Sequence, residues 1–286
     1  MSLKIIESGI NKSKSDVLKI NAPLVIEWLI KFLRDECTRQ RGVQKVVIGL
    51  SGGLDSAVVT YLCAKAFGSE NVYAFSMPYK TSASESYSHA KLVADQLKVP
   101  FSKIEITAAV DGYACNFEQE ITPSRLGNLC ARVRAMVLFD QSAKLCALPT
   151  GTGNKSERLM GYYTWHADDS PPINPLGDLY KTQVFQLARE LGVHDVILDK
   201  APSADLVPGQ TDEEDLGLTY ERLDLILSFA IQGYSKEKIV QFGFDANEVE
   251  RTVAKLKSTH WKRHLPTVAM FDVMTIGESY LRPVDY

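Results

Sequence analysis

The sequence predicts an α/β protein with a doubly wound, mostly parallel sheet and a helical C-terminal extension. Three observations predict this fold. In the first half of the chain, short runs of β-branched residues alternate with longer segments of helical periodicity, the pattern of parallel βαβ units. A glycine-rich turn follows the first of these runs, and the second half holds helical segments separated by polar loops. We therefore expect a single domain over residues 1–286, with an α/β core over about 18–205 and a helical extension and tail over about 206–286.

The elements of the first half follow from capping residues and periodicity. Asn21 before Pro23 is typical of a helix start, and apolar residues from Val25 to Leu33 then recur at helical spacing. Short apolar runs rich in β-branched residues indicate buried strands. On these criteria we expect strands over 45–50, 72–77, 101–106 and 145–149, and further helices over 57–66, 87–97 and 125–144.

The second half begins with a loop rich in Asp and Pro over 168–175. A helix follows over 181–191, and Gly192 is its expected C-terminal stop. Residues 201–215 are polar and predict another loop. Three last helices are expected over 220–231, 236–242 and 246–260, with Asp245 as the N-cap of the final one.

The composition excludes several classes of function. The 286 residues carry 32 basic and 35 acidic side chains, a net charge of −3, which argues against a cationic protein that coats nucleic acid or a membrane surface. No apolar run is long enough to span a bilayer, and the polar N-terminus lacks the apolar stretch of a secretion signal. Five cysteines without close spacing suit a reducing compartment. We therefore expect a cytoplasmic protein with no nucleic-acid and no membrane partner.

The most informative segment is the loop over 49–56, Gly-Leu-Ser-Gly-Gly-Leu-Asp-Ser, between a predicted strand and a predicted helix. Such a turn presents backbone N–H groups and the positive end of a helix to one point, which suits a phosphate. Asp55 would repel a phosphate, so we expect it to hold a Mg²⁺ that bridges to the phosphate. The alternative is a simple glycine turn whose Asp and Ser cap the helix. The candidate phosphate-binding residues are Gly49, Leu50, Ser51, Gly52, Gly53, Asp55 and Ser56.

This loop resembles the PP-loop of the N-type ATP pyrophosphatases, a superfamily that includes the NAD synthetases. Five later segments resemble NAD synthetase motifs and follow one another in the family's order. They lie at 127–134, 149–157, 174–182, 202–213 and 262–266. The resemblance runs from about residue 18 to residue 266. It implies an adenine nucleotide alpha-hydrolase-like fold and cleavage of ATP between its α and β phosphates.

Resemblance to the NAD synthetases implies that the chain amidates deamido-NAD to NAD in two steps. The nicotinate carboxylate takes AMP from ATP, which gives an NAD-adenylate and pyrophosphate, and ammonia then displaces AMP. The resemblance implies Mg²⁺ as the cofactor, with ATP as co-substrate, and a homodimer with the long helix from Arg125 in its interface. We expect free ammonia, or ammonia from a separate subunit, because 286 residues leave no room for a glutaminase domain.

The resemblance also implies which residues form the site, with Asp55, Lys181 and Asp168 as its catalytic residues. Asp55 and Glu157 are the implied Mg²⁺ ligands, and Lys181 would neutralise charge on the α phosphate. Asp168 takes the place of the family's ammonia-site carboxylate, where the Lys-x-Gly-Asp order of some members reads Trp-His-Ala-Asp over 165–168 here. Further ATP contacts are implied for Thr152, Lys181 and Ser203. Contacts to deamido-NAD are implied for Asn128, Arg132, Lys262 and Arg263.

Spacing alone leaves simpler roles open for several of these residues. Glu157 suits a surface position at a helix start, where a carboxylate interacts favourably with the helix dipole. Lys181 suits a solvated position in a first helical turn. Arg132 and Arg134 lie two residues apart on one predicted helix, so they leave it on different faces.

Three other functions stay open. A tRNA-modifying PP-loop enzyme would adenylate a base and would need a basic RNA-binding face. A stand-alone GMP synthetase ATPase subunit would share the loop, but the segments at 128–134 and 154–157 disfavour it. A non-catalytic nucleotide-binding module would not need the metal carboxylates. In the enzyme, we expect 201–214 and the region around Lys262 to order over bound ATP as a lid.

Overall fold

A four-stranded parallel sheet forms the centre of the computed structural model, which describes residues 16–118, 120–203, 211–264 and 269. The strands are β1 (Val46–Gly49), β2 (Val72–Ser76), β3 (Phe101–Lys103) and β4 (Leu148–Pro149), and they lie in the order β3–β2–β1–β4. Val46 of β1 pairs with Val72 of β2 on one side and with Leu148 of β4 on the other. A single parallel bridge from Thr150 to Ile173 follows β4. The predicted parallel α/β fold is confirmed.

Helices connect and cover these strands. They are α1 (Ala22–Arg34), α2 (Leu54–Phe67), α3 (Ser84–Leu97), α4 (Thr107–Phe117), α5 (Pro123–Leu145), α6 (Lys155–Met160), α7 (Lys181–Leu191), α8 (Asp195–Leu198), α9 (Asp212–Leu216), α10 (Tyr220–Ile231), α11 (Lys236–Gln241) and α12 (Ala246–Ser258). A π-helical turn (Asp35–Arg39) continues α1, and 3₁₀ turns lie at Ser69–Asn71 and His260–Arg263. As expected, the Asn21 side chain caps α1 by accepting the Leu24 N–H at 3.2 Å.

Alternate residues of the strands face two separate hydrophobic clusters. Val46 and Ile48 pack with α1, α2 and α7, whereas Val47 packs with α4 and α5 on the opposite face. The sheet is therefore wound on both faces, as predicted. Most of α2 is buried because it lies between the sheet and helices α1 and α7. Within the described residues, no helix is both long and apolar enough to cross a membrane.

A third hydrophobic cluster links the C-terminal helices to the α/β core. Leu223, Leu227 and other residues of α10–α12 pack there against Met160 at the end of α6 and Tyr180 just before α7. The single-domain prediction stays a prediction, and this shared cluster supports it. The cluster also fixes α6 and α7, the two helices that the candidate site depends on.

All four predicted strands are too long, the first by two residues, the second by one, and the third and fourth by three each. The third was expected to reach residue 106, but β3 ends at Lys103. Opposite that end, Pro78 has no N–H with which to continue the ladder. The fourth was expected from residue 145, but Leu145 is the last residue of α5 and Cys146 then turns left-handed at φ +49°. Only Leu148–Pro149 therefore remain as β4.

The helix predictions are wrong in other places. Helices α2 and α3 each begin three residues earlier than expected, at Leu54 and Ser84, and the last helix ends at Ser258 instead of residue 260. Helices α4 and α8 were not expected. The predicted loop over 201–215 contains the start of α9, because Thr211 and Glu214 form a capping box in which each side chain accepts the other's backbone N–H.

Candidate active site at the carboxyl edge of the sheet

The predicted phosphate loop joins the carboxyl end of β1 to the start of α2. Gly53 is the N-cap residue of α2 and offers no side-chain acceptor. The first-turn N–H groups of Leu54, Asp55 and Ser56 therefore have no partner within the helix. Unsatisfied N–H groups at the positive end of a buried helix form a favourable position for an anion.

The two serines of the loop bond mainly to the loop itself. The Ser56 hydroxyl donates to the Gly53 carbonyl at 3.0 Å and accepts the Ser51 N–H at 3.2 Å. The Ser51 hydroxyl lies 3.1 Å from that of Ser56 and accepts the Gly53 N–H at 3.2 Å. These bonds hold the loop in one shape, so backbone N–H groups are the donors that remain for a phosphate.

The two glycines of the loop are under different constraints. Gly52 has φ +83°, and a Cβ atom there would lie 2.1 Å from the backbone oxygen of Ser86 in α3. Gly53 has φ −91°, and the nearest atom to its Cβ would be the Ser51 hydroxyl at 3.4 Å. Only Gly52 is thus required by both backbone conformation and close approach.

Three predicted site residues meet beside this loop. The buried Lys181 ammonium, whose side chain is only 3% exposed, donates to Asp55 Oδ2 and lies 3.7 Å from Glu157 Oε1. The other oxygen of Asp55 accepts the Asn154 side-chain N–H at 3.1 Å. Asp55, Glu157 and Lys181 each occupy the first turn of a different helix, α2, α6 and α7. Three positive helix ends therefore converge on one place.

Burial and mutual proximity control the protonation of this cluster. Burial raises the pKa of Glu157 to about 8, and the nearby Asp55 carboxylate adds to the rise. Burial opposes the charge of Lys181, yet the carboxylates of Asp55 and Glu157 hold the pKa of its ammonium above the ordinary value. Lys181 is thus a buried cation between two acidic side chains, of which Glu157, with its raised pKa, is largely protonated at neutral pH.

The acidic side chains of Asp55 and Glu157 fit the predicted Mg²⁺, since a bound cation favours the ionised form of both. Asp55 and Glu157 already share one cation, the Lys181 ammonium, and carboxylate oxygens are the ligands that Mg²⁺ prefers. Among the described residues, no group of three or more His, Cys, Asp or Glu side chains could hold a metal. Further ligands would therefore come from substrate phosphates and water.

Several residues that the sequence associated with deamido-NAD surround the loop over 161–168. Asn128 accepts the Thr164 hydroxyl at 2.8 Å, and Arg132 donates to the Trp165 carbonyl at 3.3 Å. Lys262 donates to the carbonyls of Gly161 at 2.8 Å and Tyr163 at 2.9 Å. Asn128, Arg132 and Lys262 thus reach one loop from α5 and from the 3₁₀ turn after α12.

Asp168 belongs to the same loop and folds back on it. Its carboxylate accepts the Thr164 N–H at 2.8 Å. His166 has a left-handed backbone with φ +60°, and Trp165 packs edge-to-face against Trp261 with ring centroids 5.0 Å apart. The loop therefore presents aromatic and carboxylate groups beside Lys262.

Three arginines near the site donate to backbone carbonyls of the protein itself. Arg263 donates to the carbonyls of Arg158 and Leu159 near the end of α6, at 3.2 and 2.9 Å, and to that of Leu256 in α12 at 2.7 Å. Arg134 donates to the Met77 carbonyl at 3.0 Å, whereas Arg132 reaches the 161–168 loop. The two arginines of α5 therefore point to different places, as predicted from their spacing.

Thr152 and Ser203 are the remaining predicted ATP contacts. Thr152 is partly buried in the turn between β4 and α6, and Ser203 is exposed. Residues 204–210 lie outside the described part of the chain, as do 265–266, so the segment at 202–213 and the expected lid over 201–214 are described only in part.

The structure adds residues that sequence reasoning missed. Asp212, only 4% exposed, accepts the Tyr220 hydroxyl at 3.1 Å, and the Tyr220 ring lies 5.5 Å from the Lys181 ammonium. Lys200 donates to the Ser86 hydroxyl at 3.2 Å, beside the close approach to Gly52. Asp212 lies inside a recognised segment, which is a signal that could have found it. Tyr220 and Lys200 lie outside all five segments.

Comparisons with known proteins agree over most of the chain. The sequence model of the NAD synthase family matches residues 25–266. A protein of Trichlorobacter lovleyi named NH3-dependent NAD+ synthetase is 46% identical over 264 residues, which cover 92% of this chain and 96% of that protein. The structure of an NMN synthetase from Francisella tularensis is similar at 31% identity and a TM-score of 0.79, covering 88% of this chain and all of that one. The structure of an NH3-dependent NAD synthetase from Campylobacter jejuni is similar at 28% identity and a TM-score of 0.75, and it also covers 88% of this chain and all of that one.

Proposed function

The chain belongs to the NAD synthase family, and we propose that the carboxyl edge of its sheet carries both half-reactions that turn deamido-NAD into NAD. Ammonia-dependent, ATP-driven formation of NAD is the activity for which its relatives are named, and it makes the chain a ligase that forms a C–N bond. The observation that carries the proposed location is the convergence of Asp55, Glu157 and Lys181 from three helix N-termini.

In the first half-reaction, an oxygen of the nicotinate carboxylate attacks the α phosphorus of ATP, and pyrophosphate leaves. The N–H groups at the start of α2 would hold the departing pyrophosphate. Lys181 would neutralise the charge that builds on the α phosphate in a place shielded from water. Holding the two anionic substrates in line can itself contribute roughly 7–11 kcal/mol.

We further propose that Asp55 and Glu157 hold Mg²⁺, because both already contact one cation. When bound, the ion would neutralise phosphate charge. Asn154 orients the Asp55 carboxylate through its amide, and its own side chain caps α6 in a reciprocal box with Glu157. These contacts give the two carboxylates fixed positions before substrate arrives.

In the second half-reaction, ammonia attacks the activated carbonyl of the NAD-adenylate, and AMP leaves. We propose that Asp168 accepts the proton, since a carboxylate near the loop over 161–168 can serve as a general base. Asn128, Arg132 and Lys262 surround that loop and would contact deamido-NAD. Arg263 would act indirectly, because its donors already hold α6 and α12 together.

The working protein is proposed to be a cytoplasmic homodimer. Large apolar side chains lie exposed on two adjacent helices, with Phe117 of α4 at 75% and Met136 of α5 at 59%. Tyr113 and Phe139 extend the same two helices' exposed apolar surface. Such a surface is typical of a protein–protein interface. All five cysteines are free, which suits a reducing compartment.

The test is pyrophosphate release from Mg·ATP with deamido-NAD, with and without ammonium. Wild type should release pyrophosphate only when deamido-NAD is present, and NAD should form only when ammonium is added. Asp55→Asn should lower the release by at least about 100-fold. Asp95→Asn, an exposed position on α3, is the matched control and should leave it unchanged. Release without deamido-NAD, or full activity in Asp55→Asn, would contradict the proposal.

A second substrate is worth testing because an NMN synthetase is among the similar structures. Its name points to amidation of the mononucleotide instead of the dinucleotide. The same assay with nicotinate mononucleotide measures this directly. We expect a higher kcat/KM for deamido-NAD, since relatives at 46% and 43% identity are named NH3-dependent NAD+ synthetases. A preference for the mononucleotide would change the substrate and leave the adenylation chemistry in place.

A further inference from the structure

Asp224 of α10 is a fully buried carboxylate that no recognised segment contains. It lies in the C-terminal extension and contacts neither Asp55 nor any residue of the phosphate loop through a hydrogen bond in the described residues. Its two oxygens are used by α6 and α7, the helices whose first turns carry Glu157 and Lys181. This placement separates it from an ordinary surface acid of a helix.

The contacts of Asp224 form a short relay. One oxygen accepts the Ser156 hydroxyl at 2.5 Å, and that hydroxyl in turn accepts the Lys181 backbone N–H at 2.9 Å. The other oxygen accepts the Thr182 N–H at 2.9 Å. The first two N–H groups of α7 are thus capped by one carboxylate, once directly and once through Ser156. Ser156 is also the residue next to Glu157, so the same carboxylate fixes the starts of both helices.

On the basis of the proposed function, we propose that Asp224 is the positioning residue that sets Lys181 and Glu157 relative to each other. A carboxylate suits the place because it accepts two hydrogen bonds at a positive helix end. Burial raises the pKa of Asp224 to about 6, so the group stays ionised at neutral pH. An ionised buried acid is unfavourable for stability on its own. A role in the geometry of the site explains why a carboxylate occupies this position.

Asp224→Asn tests the relay because the amide keeps the size of the side chain and removes one acceptor. The amide can still accept the Thr182 N–H, but it then presents N–H groups to the Ser156 hydroxyl. We expect kcat for pyrophosphate release to fall at least tenfold, with KM for ATP changed less than twofold. Ser156→Ala should cause a similar fall, and the double variant should lose no more than the larger single loss, since both interrupt one relay.

A structural readout separates positioning from simple stability. Hydrogen exchange should quicken at the amides of Lys181 and Thr182 in Asp224→Asn while the interior of α7 stays protected. Thr252→Val is the control and should leave both kcat and exchange unchanged, because Thr252 is buried on α12 and its hydroxyl has no hydrogen-bond partner among the described residues. Normal kcat with faster exchange at these two amides would overturn the positioning role while the proposed function stands. An inactive wild type would instead overturn the proposed function, and the positioning role with it.

Discussion

At the scale of single residues, the site depends on how Lys181 is held. A lysine buried this deeply is rare unless its charge is paired. Here the pairing comes from Asp55 and Glu157, and the Tyr220 ring closes one further side at 5.5 Å. A buried pair loses much of its value when one partner is removed, because the other is left as an uncompensated charge. Changes at these positions therefore affect protonation and stability together.

Glu157→Gln should alter how stability depends on pH. The pKa of Glu157 in the folded protein is raised to about 8, above its unfolded value, so its contribution to stability is full at low pH and is lost as the pH rises through 8. Gln does not titrate, and it preserves the capping box at the start of α6. The melting temperature of the variant minus that of wild type should therefore be several degrees larger at pH 9 than at pH 6. Thermal melts of the ligand-free proteins at both values measure this, and a constant difference would contradict it.

Gly52→Ala and Gly53→Ala should differ sharply although the residues are neighbours. At Gly52, the positive φ and the 2.1 Å approach to the Ser86 oxygen should together destabilise the protein by about 3 kcal/mol or more. At Gly53, an ordinary φ and a nearest contact of 3.4 Å should limit the effect to about 1 kcal/mol. Denaturant unfolding of both variants checks the contrast. Equal losses would show that the close approach to α3 does not govern the loop.

At the scale of elements, α6 shows how a short helix can support a site. It has only six residues and carries Glu157 at its start. Asn154 caps its first turn, and at its other end Arg263 and Lys262 donate to its last carbonyls and to those of the following loop. Cations at a C-terminal helix end also interact favourably with the dipole. The helix is therefore held at both ends by side chains from outside it.

Arg263→Met and Lys262→Met should separate a structural from a binding role. All three carbonyls that Arg263 reaches belong to α6 and α12, so its loss should lower the free energy of unfolding by about 1.5–3 kcal/mol. Lys262 uses two of its three donors on the loop, which leaves one for the proposed contact to deamido-NAD. Its variant should raise KM for deamido-NAD at least tenfold. Urea unfolding and steady-state kinetics of both variants measure these effects. A larger rise in KM for Arg263→Met than for Lys262→Met would contradict a structural role for Arg263 and a binding role for Lys262.

The helices that sequence predicted best are those with clear end signals. The bounds of α7 and α10 match the expectation, and α7 ends at Gly192 with φ +74° as a C-terminal glycine should. Helix α4 was missed because its sequence has weak periodicity and a glycine at 112. Helix α9 lies partly inside the predicted loop over 201–215, and sequence analysis missed it because its capping box lies among polar residues. Sequence analysis therefore predicts a helix correctly when residues near its ends carry a clear capping or stop signal.

At the scale of the whole molecule, the site is assembled from distant parts of the chain. Sequence motifs identified Asp55, Glu157 and Lys181 as candidate site residues. The fold brings these three together, although Asp55 and Lys181 are more than a hundred residues apart in the sequence. Nothing local marks Tyr220 or Asp224, because their roles come from the packing of α10 against α6 and α7. Sequence alone could therefore identify the charged residues of the candidate site, but not the buried residues of α10 that contact and position them.

Met136→Glu should test the proposed homodimer. The exposed side chain lies on α5, and a buried charge at an apolar interface would strongly oppose association. We expect wild type to elute as a dimer and the variant as a monomer in size-exclusion chromatography with light scattering. Ile231→Glu, at the end of α10 and also exposed, is the control and should remain dimeric. A variant that stays dimeric would place the interface elsewhere. A monomeric wild type would contradict the proposed homodimer.

The short outer strands of the sheet have a consequence for aggregation. Strand β3 has three residues and ends in an exposed lysine, and β4 has two and ends in Pro149, which has no N–H to donate. Short edges, lysine and proline all discourage another chain from adding a strand. Within the described residues, the folded sheet therefore offers poor templates for edge-to-edge growth. Fibrils of this protein should have to begin from chains that have already unfolded.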